Sequence, residues 1–159
     1  MWVRAPPLRF LLHPMTEILS DRAAAVIIKD HKVLMWWRYK DGVEKHTFPG
    51  GTKEPNESIE ETLKREVLEE MNLKVMNFEK LYSHTHTYHL DELNKDFQRD
   101  QYYFLVTEFT GPIKLGDPEL SRQSKDNIYR PDWLTAEELK ASLKDAYPAE
   151  LLRLIIEKL

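Results

Sequence analysis

The stretch from Gly50 to Leu73, GGTKEPNESIEETLKREVLEEMNL, constrains the fold most, because it fixes the start and the facing of one helix. Ser58 and Glu61 have the spacing of a capping box, in which each side chain accepts a hydrogen bond from the other residue's backbone N–H. The pattern predicts a helix from Ser58 to about Met71. The direction in which each glutamate points can therefore be inferred from the sequence.

Three of these glutamates lie where a solvated helix does not need them. Taken at about 100° per residue, the apolar face of the helix consists of Ile59, Leu63 and Val67. Glu66 and Glu70 continue the line of this face, and Glu69 lies just beyond its edge. The three carboxylates share the C-terminal end of the helix, where the helix dipole also disfavours negative charge.

Two interpretations of this cluster are open from spacing alone. Glu60 and Glu61 form (i, i+4) pairs with Lys64 and Arg65, which are typical of a solvated helix and explain its outer face. They do not explain three converging carboxylates, whose repulsion must be offset by protonation or by a cation once they are partly buried. Carboxylate oxygens are the ligands that Mg²⁺ and Mn²⁺ prefer, so a metal site is the second interpretation.

From Gly51 onward the sequence resembles the signature of the Nudix hydrolases: glycine, five residues, glutamate, seven residues, then Arg-Glu-aliphatic-any-Glu-Glu-any-Gly-aliphatic. The matching residues are Gly51, Glu57, Arg65, Glu66, Val67, Glu69, Glu70 and Leu73. Only Asn72 departs, where the family usually has glycine. Because that position ends the helix, a left-handed residue is wanted there, and Asn is the next choice after Gly. We expect a small loss of stability and unchanged chemistry.

The resemblance also implies a fold, an α/β domain of the Nudix type in which a mixed β-sheet lies between helices. Residues 16–159 are predicted to form this domain, and residues 1–15 an N-terminal extension. Apolar stretches at 23–29 and 32–38 flank a two-residue turn and predict a hairpin. A loop is expected at 39–46.

The second half of the chain is predicted to hold two strands and two helices. The strands are expected at 80–89 and 101–109, and a long polar loop at 110–127. Thr135 is expected to cap one helix, and Pro148 to stand in the first turn of the last one.

By position, the resemblance makes Glu66, Glu69 and Glu70 metal ligands, with Gly51 offering a backbone contact to the metal or the phosphates. The implied reaction is hydrolysis of a nucleoside diphosphate linked to another moiety. Divalent ions, Mg²⁺ or Mn²⁺, would neutralise the phosphate charge and lower the pKa of bound water. Either Glu66 or Glu69 would orient or deprotonate that water, and the sequence does not choose between them.

Arg65 is expected to support catalysis by holding Glu69 in place, while Glu57 steadies Arg65. Direct contact of Arg65 with the substrate is the alternative. Arg22 and Arg38, near the ends of the first hairpin strands, are candidates for contact with phosphate oxygens. Glu119 is a candidate for a base or ligand from outside the signature, and Glu108 is the second choice.

His84 and His86 lie two apart on a predicted strand and hence on one face. With His89 they suggest a zinc site, but a polar strand face in or near the substrate pocket is preferred, because no fourth ligand has suitable spacing. The neighbouring aromatic residues are assigned to packing and not to base stacking. They are Trp36, Trp37, Tyr102 and Tyr103.

Charge and composition restrict the partners. A net charge of −4 argues against a broad nucleic-acid footprint, which would be basic. The chain has no cysteine, which excludes disulfides and suits a reducing cytosol, and it has no apolar run of membrane-spanning length. The expected partner is a nucleotide-derived small molecule, and the oligomeric state is open.

A divalent-metal-dependent pyrophosphohydrolase of the MutT type is the first functional hypothesis. A Nudix-like module that senses a nucleotide such as ADP-ribose without turnover is the alternative. The complete set of Arg65, Glu66, Glu69 and Glu70 favours the enzyme, because a sensor needs no activated water. Selectivity among nucleotides is expected to depend on loops 39–46 and 110–127.

Overall fold

The computed structural model describes residues 15–159, except for the side chains of Pro118 and Glu119. Residues 1–14, nearly all of the predicted extension, lie outside this part. The strands are β1 Thr16–Ile18, β2 Arg22–Lys29, β3 Lys32–Lys40, β4 Val43–Thr47, β5 Gly50–Thr52, β6 Lys74–Leu90, β7 Lys95–Thr110 and β8 Asn127–Leu134. The helices are α1 Ile59–Met71, α2 Asp117–Arg122, α3 Ala136–Leu143 and α4 Ala149–Ile156. Within the described range, no helix combines the length and the apolar character needed to cross a bilayer.

The strands form one mixed sheet. β7 pairs parallel with β1 and β2 and antiparallel with β6. β3 pairs antiparallel with β2, β4 and β8, and the short β5 pairs with the start of β2. This pairing brings β5 and the end of β4 close to the middle of the sheet, although they follow the first hairpin in sequence.

Helices cover both faces of the sheet, as the alternation along β2 shows. Ala23, Ala25 and Ile27 belong to the core beneath α1. Ala24 and Val26 point the other way and pack with the apolar side chains of α3 and α4. All five are buried, which is typical of a central strand covered on both sides. The predicted α/β class and the sandwich of helices around a mixed sheet are confirmed.

The first hairpin is confirmed, and the loop expected after it is wrong. Asp30 and His31 both have positive φ, 51° and 58°, as a two-residue hairpin turn requires. The predicted loop 39–46 is instead a second hairpin, with a tight turn at Asp41 and Gly42. The residues of this stretch are mainly polar and charged, so they contain no apolar alternation to reveal the strands.

The hairpin of β6 and β7 is longer than predicted. Residues 95–100 are polar apart from Phe97 but continue the ladder, because their backbone pairs across the strands. Polar side chains also pair there: Thr85 donates to Asp100 at 2.7 Å, and His89 contacts Asp96 at 2.6 Å. The predicted loop 110–127 contains the short helix α2.

Both ends of α1 have the caps that the sequence predicts. The capping box of Ser58 and Glu61 is present at the start. Asn72 closes the helix in the left-handed conformation, with φ of 57° and ψ of 29°. Its amide Nδ2 also donates to the carbonyl of Pro112 at 3.2 Å. The segment after β7 is therefore tied to the end of α1 that carries the glutamates.

Replacing Asn72 with alanine is expected to lower the free energy of unfolding by about 1–2 kcal/mol, from left-handed strain and the lost amide bond. Asn72→Gly should cost less, because glycine accepts the conformation and only the bond to Pro112 is lost. Urea unfolding of the three proteins measures the difference. Equal stability of the alanine and glycine variants would show that the helix end does not require a left-handed residue.

Candidate active site

The candidate site is built where β5 passes alongside α1. The backbone N–H of Gly50 donates to Oε2 of Glu70 at 2.9 Å. A Cβ on Gly51 would lie 2.1 Å from Cδ of Glu66, so only glycine leaves room for that carboxylate. Two of the three predicted carboxylates thus lie directly against the glycine pair that precedes the helix.

Arg65 connects the glutamates of the signature. Its Nε and Nη2 donate to the two oxygens of Glu57 at 2.7 and 3.1 Å, a bidentate pair. Its Nη1 donates to Glu66 at 2.8 Å and to Glu69 at 3.3 Å, and Nη2 also reaches the carbonyl of Thr52 at 3.1 Å. The expected contacts with Glu57 and Glu69 are both present. The contact with Glu66 was not anticipated.

The two ends of this network titrate differently. The hydrogen bonds from Arg65, with those from the Glu54 N–H and the Thr62 hydroxyl, lower the pKa of Glu57 to about 2. Glu57 therefore stays ionised and fixes the guanidinium. Burial raises the pKa of Glu66 above its usual value, although Arg65 opposes the shift. The same contacts raise the pKa of Arg65, which remains a cation.

The exposures of the glutamates agree with the helical projection. The side chain of Glu66 is 16% exposed and that of Glu69 is 45% exposed. Glu70 is half-buried. The sequence placed Glu66 and Glu70 in line with the apolar face and Glu69 beyond its edge, and the structure shows this order.

The three signature carboxylates fit a divalent cation chemically, although each of them already accepts a hydrogen bond from the protein. Among residues 15–159, no three histidine or acidic side chains are grouped closely enough to form a ready-made metal site. Glu66 and Glu69 accept from Arg65, and Glu70 accepts from Gly50. The set offers only carboxylate and backbone oxygens, and the missing side chain of Gly51 lets the Glu66 carboxylate lie directly against β5. Hard cations such as Mg²⁺ and Mn²⁺ match this set.

A cavity of about 260 Å³ opens beside Glu70, and we call it the proximal cavity. Its wall includes Gly50, Glu70 and two aromatic residues, Trp36 and Tyr129. Its cationic residues are Arg22, Arg38, Lys45 and Arg122. Both arginines predicted to contact phosphate therefore line one cavity with a signature glutamate. Arg38 is held by Asn127 at 3.2 Å, with its guanidinium 4.9 Å from the ring centre of Tyr129.

A larger cavity of about 540 Å³ adjoins the first, and we call it the distal cavity. The two share Arg22, Lys45 and Thr47. The distal wall also includes His84, His86, Gln101, Tyr103, Asp145 and Tyr147. The preferred interpretation of the histidines, a polar strand face near the pocket, agrees with this position.

Sequence reasoning missed several wall residues and placed others correctly as packing. Lys45 lies in the stretch predicted to be a loop and Thr47 directly follows it, and only the pairing of β4 with β3 directs them to the cavity. Trp36 and Tyr103 are buried in the core, as expected, and also form cavity wall. The guanidinium carbon of Arg130 lies over the ring of Trp37, 4.0 Å from the ring centre.

Glu119 stays a prediction, because its side chain lies outside the described part of the structure. Glu108, a weaker candidate for the same role, is exposed on β7 opposite Asn77 and lines neither cavity.

Comparison with solved structures gives the same architecture at low sequence identity. A MutT structure from work on Aliivibrio salmonicida and Vibrio cholerae is 18% identical, covers 90% of this chain and 100% of its own, and gives a TM-score of 0.61. A MutT NUDIX hydrolase from Burkholderia pseudomallei is 19% identical, with 91% and 98% covered and a TM-score of 0.58. An Ap4A hydrolase from C. elegans is 17% identical, with 88% and 97% covered and a TM-score of 0.57. At these identities the likeness shows the fold.

The family comparison extends over most of the sequence. No curated protein matches the chain significantly in sequence. The model of the NUDIX domain matches residues 19–155, from before β2 to the last turn of α4. The signature at Gly51 to Leu73, the sheet between helices and this match agree, and the chain belongs to the NUDIX domain family.

Proposed function

We propose that this protein is a divalent-metal-dependent hydrolase that cleaves the diphosphate linkage of a nucleoside diphosphate joined to another moiety. Its membership of the NUDIX family supports hydrolysis of a phosphoric anhydride. One observation carries the proposal to this chain: Glu66 and Glu70 lie against the glycines of β5, beside a cavity lined with cationic side chains.

Glu66, Glu69 and Glu70 are the residues that would hold the metal, with the backbone at Gly51 beside them. When bound, Mg²⁺ or Mn²⁺ supplies charge neutralisation at the phosphates and a water of lowered pKa. The oxygen-only character of these residues supports this assignment.

Arg65 acts as a positioning residue. Its bidentate pair with Glu57 fixes the guanidinium plane, and its remaining N–H groups restrain Glu66 and Glu69. Because Arg65 is occupied by these carboxylates and by the carbonyl of Thr52, it has little capacity left for the substrate. This geometry favours a role for Arg65 in positioning the carboxylates over direct contact with the substrate.

Arg22, Arg38 and Lys45 would bind the phosphate oxygens. They line the proximal cavity together with Glu70, so a phosphate chain there would lie among basic side chains and beside a signature glutamate. A triphosphate of the MutT type is our leading substrate class. The solved neighbours include MutT proteins, an ADP compounds hydrolase and an Ap4A hydrolase.

A panel of nucleoside triphosphates, ADP-ribose, nucleotide sugars and dinucleoside polyphosphates tests the proposal. We expect release of a nucleoside monophosphate or pyrophosphate with Mg²⁺ or Mn²⁺, and none after chelation. Product analysis in ¹⁸O-labelled water identifies the phosphorus that is attacked. Tight binding of one nucleotide without turnover under any of these conditions would favour the sensor.

A further inference from the structure

The distal cavity is large enough to hold a group of its own beside the proximal cavity. It is about twice the volume of the proximal cavity, 540 against 260 Å³, and it shares one wall with it. Arg22, Lys45 and Thr47 form that shared wall. A ligand whose diphosphate lies in the proximal cavity can therefore extend into the distal one past two cations.

The β6–β7 hairpin gives the distal cavity a polar wall. His84 stands opposite Gln101, and His86 opposite Arg99. Residues directly opposite in an antiparallel pair share a face of the sheet, so these four side chains belong to one face. His84, His86 and Gln101 line the cavity, and Arg99 lies one step further along the same face.

Two buried nitrogen atoms on this face have no hydrogen-bond partner. They are Nδ1 of His84 and Nε of Arg99, and no other buried side-chain nitrogen or oxygen in the described residues lacks a partner. The Nε of arginine always carries a hydrogen, so it calls for an acceptor. Nδ1 of His84 can donate or accept, depending on the tautomer of the ring, so the demand for an acceptor on this face comes from Arg99.

Gln101 and the charged residues of the distal cavity also favour a ligand that accepts hydrogen bonds. Oε1 of Gln101 accepts from the hydroxyl of Tyr103 at 2.9 Å, which leaves the amide NH₂ of Gln101 as the donor. The cavity is lined by two cations, Arg22 and Lys45, against a single carboxylate, Asp145, and a third cation, Arg99, lies opposite His86 on the neighbouring strand. An anion is the group that balances this excess of positive charge.

We propose that the distal cavity binds a second phosphate monoester of the substrate, separate from the diphosphate that is hydrolysed. This inference rests on the proposed function, in which the diphosphate occupies the proximal cavity. The substrate class is then a diphosphate compound that carries a further phosphate on its nucleoside or on the other moiety. A nucleobase in the same space is the competing outcome.

Calorimetry without divalent metal tests the proposal separately from catalysis. Adenosine 3′,5′-bisphosphate and 5′-AMP are the probes, because they differ by one phosphate monoester. We expect the bisphosphate to bind at least about tenfold more tightly, the gain typical of a charge-assisted hydrogen bond. Arg99→Gln should reduce this ratio towards one. Arg130→Gln, which removes a cation stacked on Trp37, is the matched control and should keep the ratio.

Equal affinity for the two probes overturns the proposal. So does adenosine binding as tightly as the bisphosphate, which would identify a nucleobase pocket. The two proposals fail separately: hydrolysis without a preference for the bisphosphate contradicts only the distal phosphate site. A preference without hydrolysis of any compound contradicts only the enzyme. Melting curves of both arginine variants confirm that each remains folded.

Discussion

Glu66→Gln is expected to reduce metal-dependent hydrolysis by at least about a hundredfold and to raise the melting temperature at neutral pH. Glutamine keeps the size of the side chain and can still accept from Nη1 of Arg65, so the fold has no reason to change. It removes the charge that a metal ion would need. Initial rates with Mg²⁺ and thermal unfolding without metal measure the two effects.

The gain in stability follows from the direction of the pKa shift. Burial raises the pKa of Glu66 in the folded protein above its ordinary value of 4.5. Above that pH the unfolded chain ionises this group more readily than the folded chain does, so the wild type loses stability as pH rises through the folded pKa. Glutamine does not ionise. The variant should therefore be the more stable at pH 7, and the difference should vanish well below pH 4.5.

Glu60→Gln is the matched control, because Glu60 lies exposed in the first turn of the same helix. It should leave the rate unchanged and alter stability only slightly. Full activity of Glu66→Gln would remove Glu66 from the metal site. A melting temperature that falls at pH 7 would show that its bond with Arg65 outweighs the cost of burial.

The helix was predictable because every signal for it is local. The cap at Ser58, the left-handed end at Asn72 and the order of exposure of the glutamates depend on positions a few residues apart. The same holds for Arg65 and Glu57, whose pairing spans two turns at the start of the helix. A site built on one helix can be read from the spacing of that helix.

The substrate side was not predictable in this way, because it depends on which strands are neighbours. Lys45 lines both cavities only because β4 pairs with β3, and Tyr129 reaches the proximal cavity through the pairing of β8 with β3. Arg99 and His86 come together across a hairpin whose polar end resembles a loop. Sequence periodicity reports which face a residue is on, but not what lies beside it.

The two glycines of β5 should respond to alanine in opposite ways. Gly51 does not have a positive φ, and the three atoms nearest to its added Cβ all belong to the carboxylate of Glu66. That end of a flexible side chain can move, so Gly51→Ala should fold with nearly wild-type stability. Because the carboxylate is displaced by about 1 Å or more, we expect activity to fall about a hundredfold.

Gly50→Ala should instead damage the fold. Gly50 has a φ of +148°, and its Cβ would lie 2.0 Å from the carbonyl oxygen of Ala23, a backbone atom in the central strand β2. Neither the strain nor the contact can be relieved without separating β5 from β2. We expect a loss of about 3–5 kcal/mol in the free energy of unfolding, measured by urea denaturation.

Gly42→Ala separates strain from contact. Gly42 also has a positive φ, 84°, but an added Cβ there would meet nothing within 4 Å. This variant should lose only about 1 kcal/mol and keep its activity. If Gly51→Ala is as active as Gly42→Ala, then the position of the Glu66 carboxylate against β5 does not matter for turnover. If Gly50→Ala is as stable as Gly42→Ala, then β5 can move away from β2, and the site does not depend on that pairing.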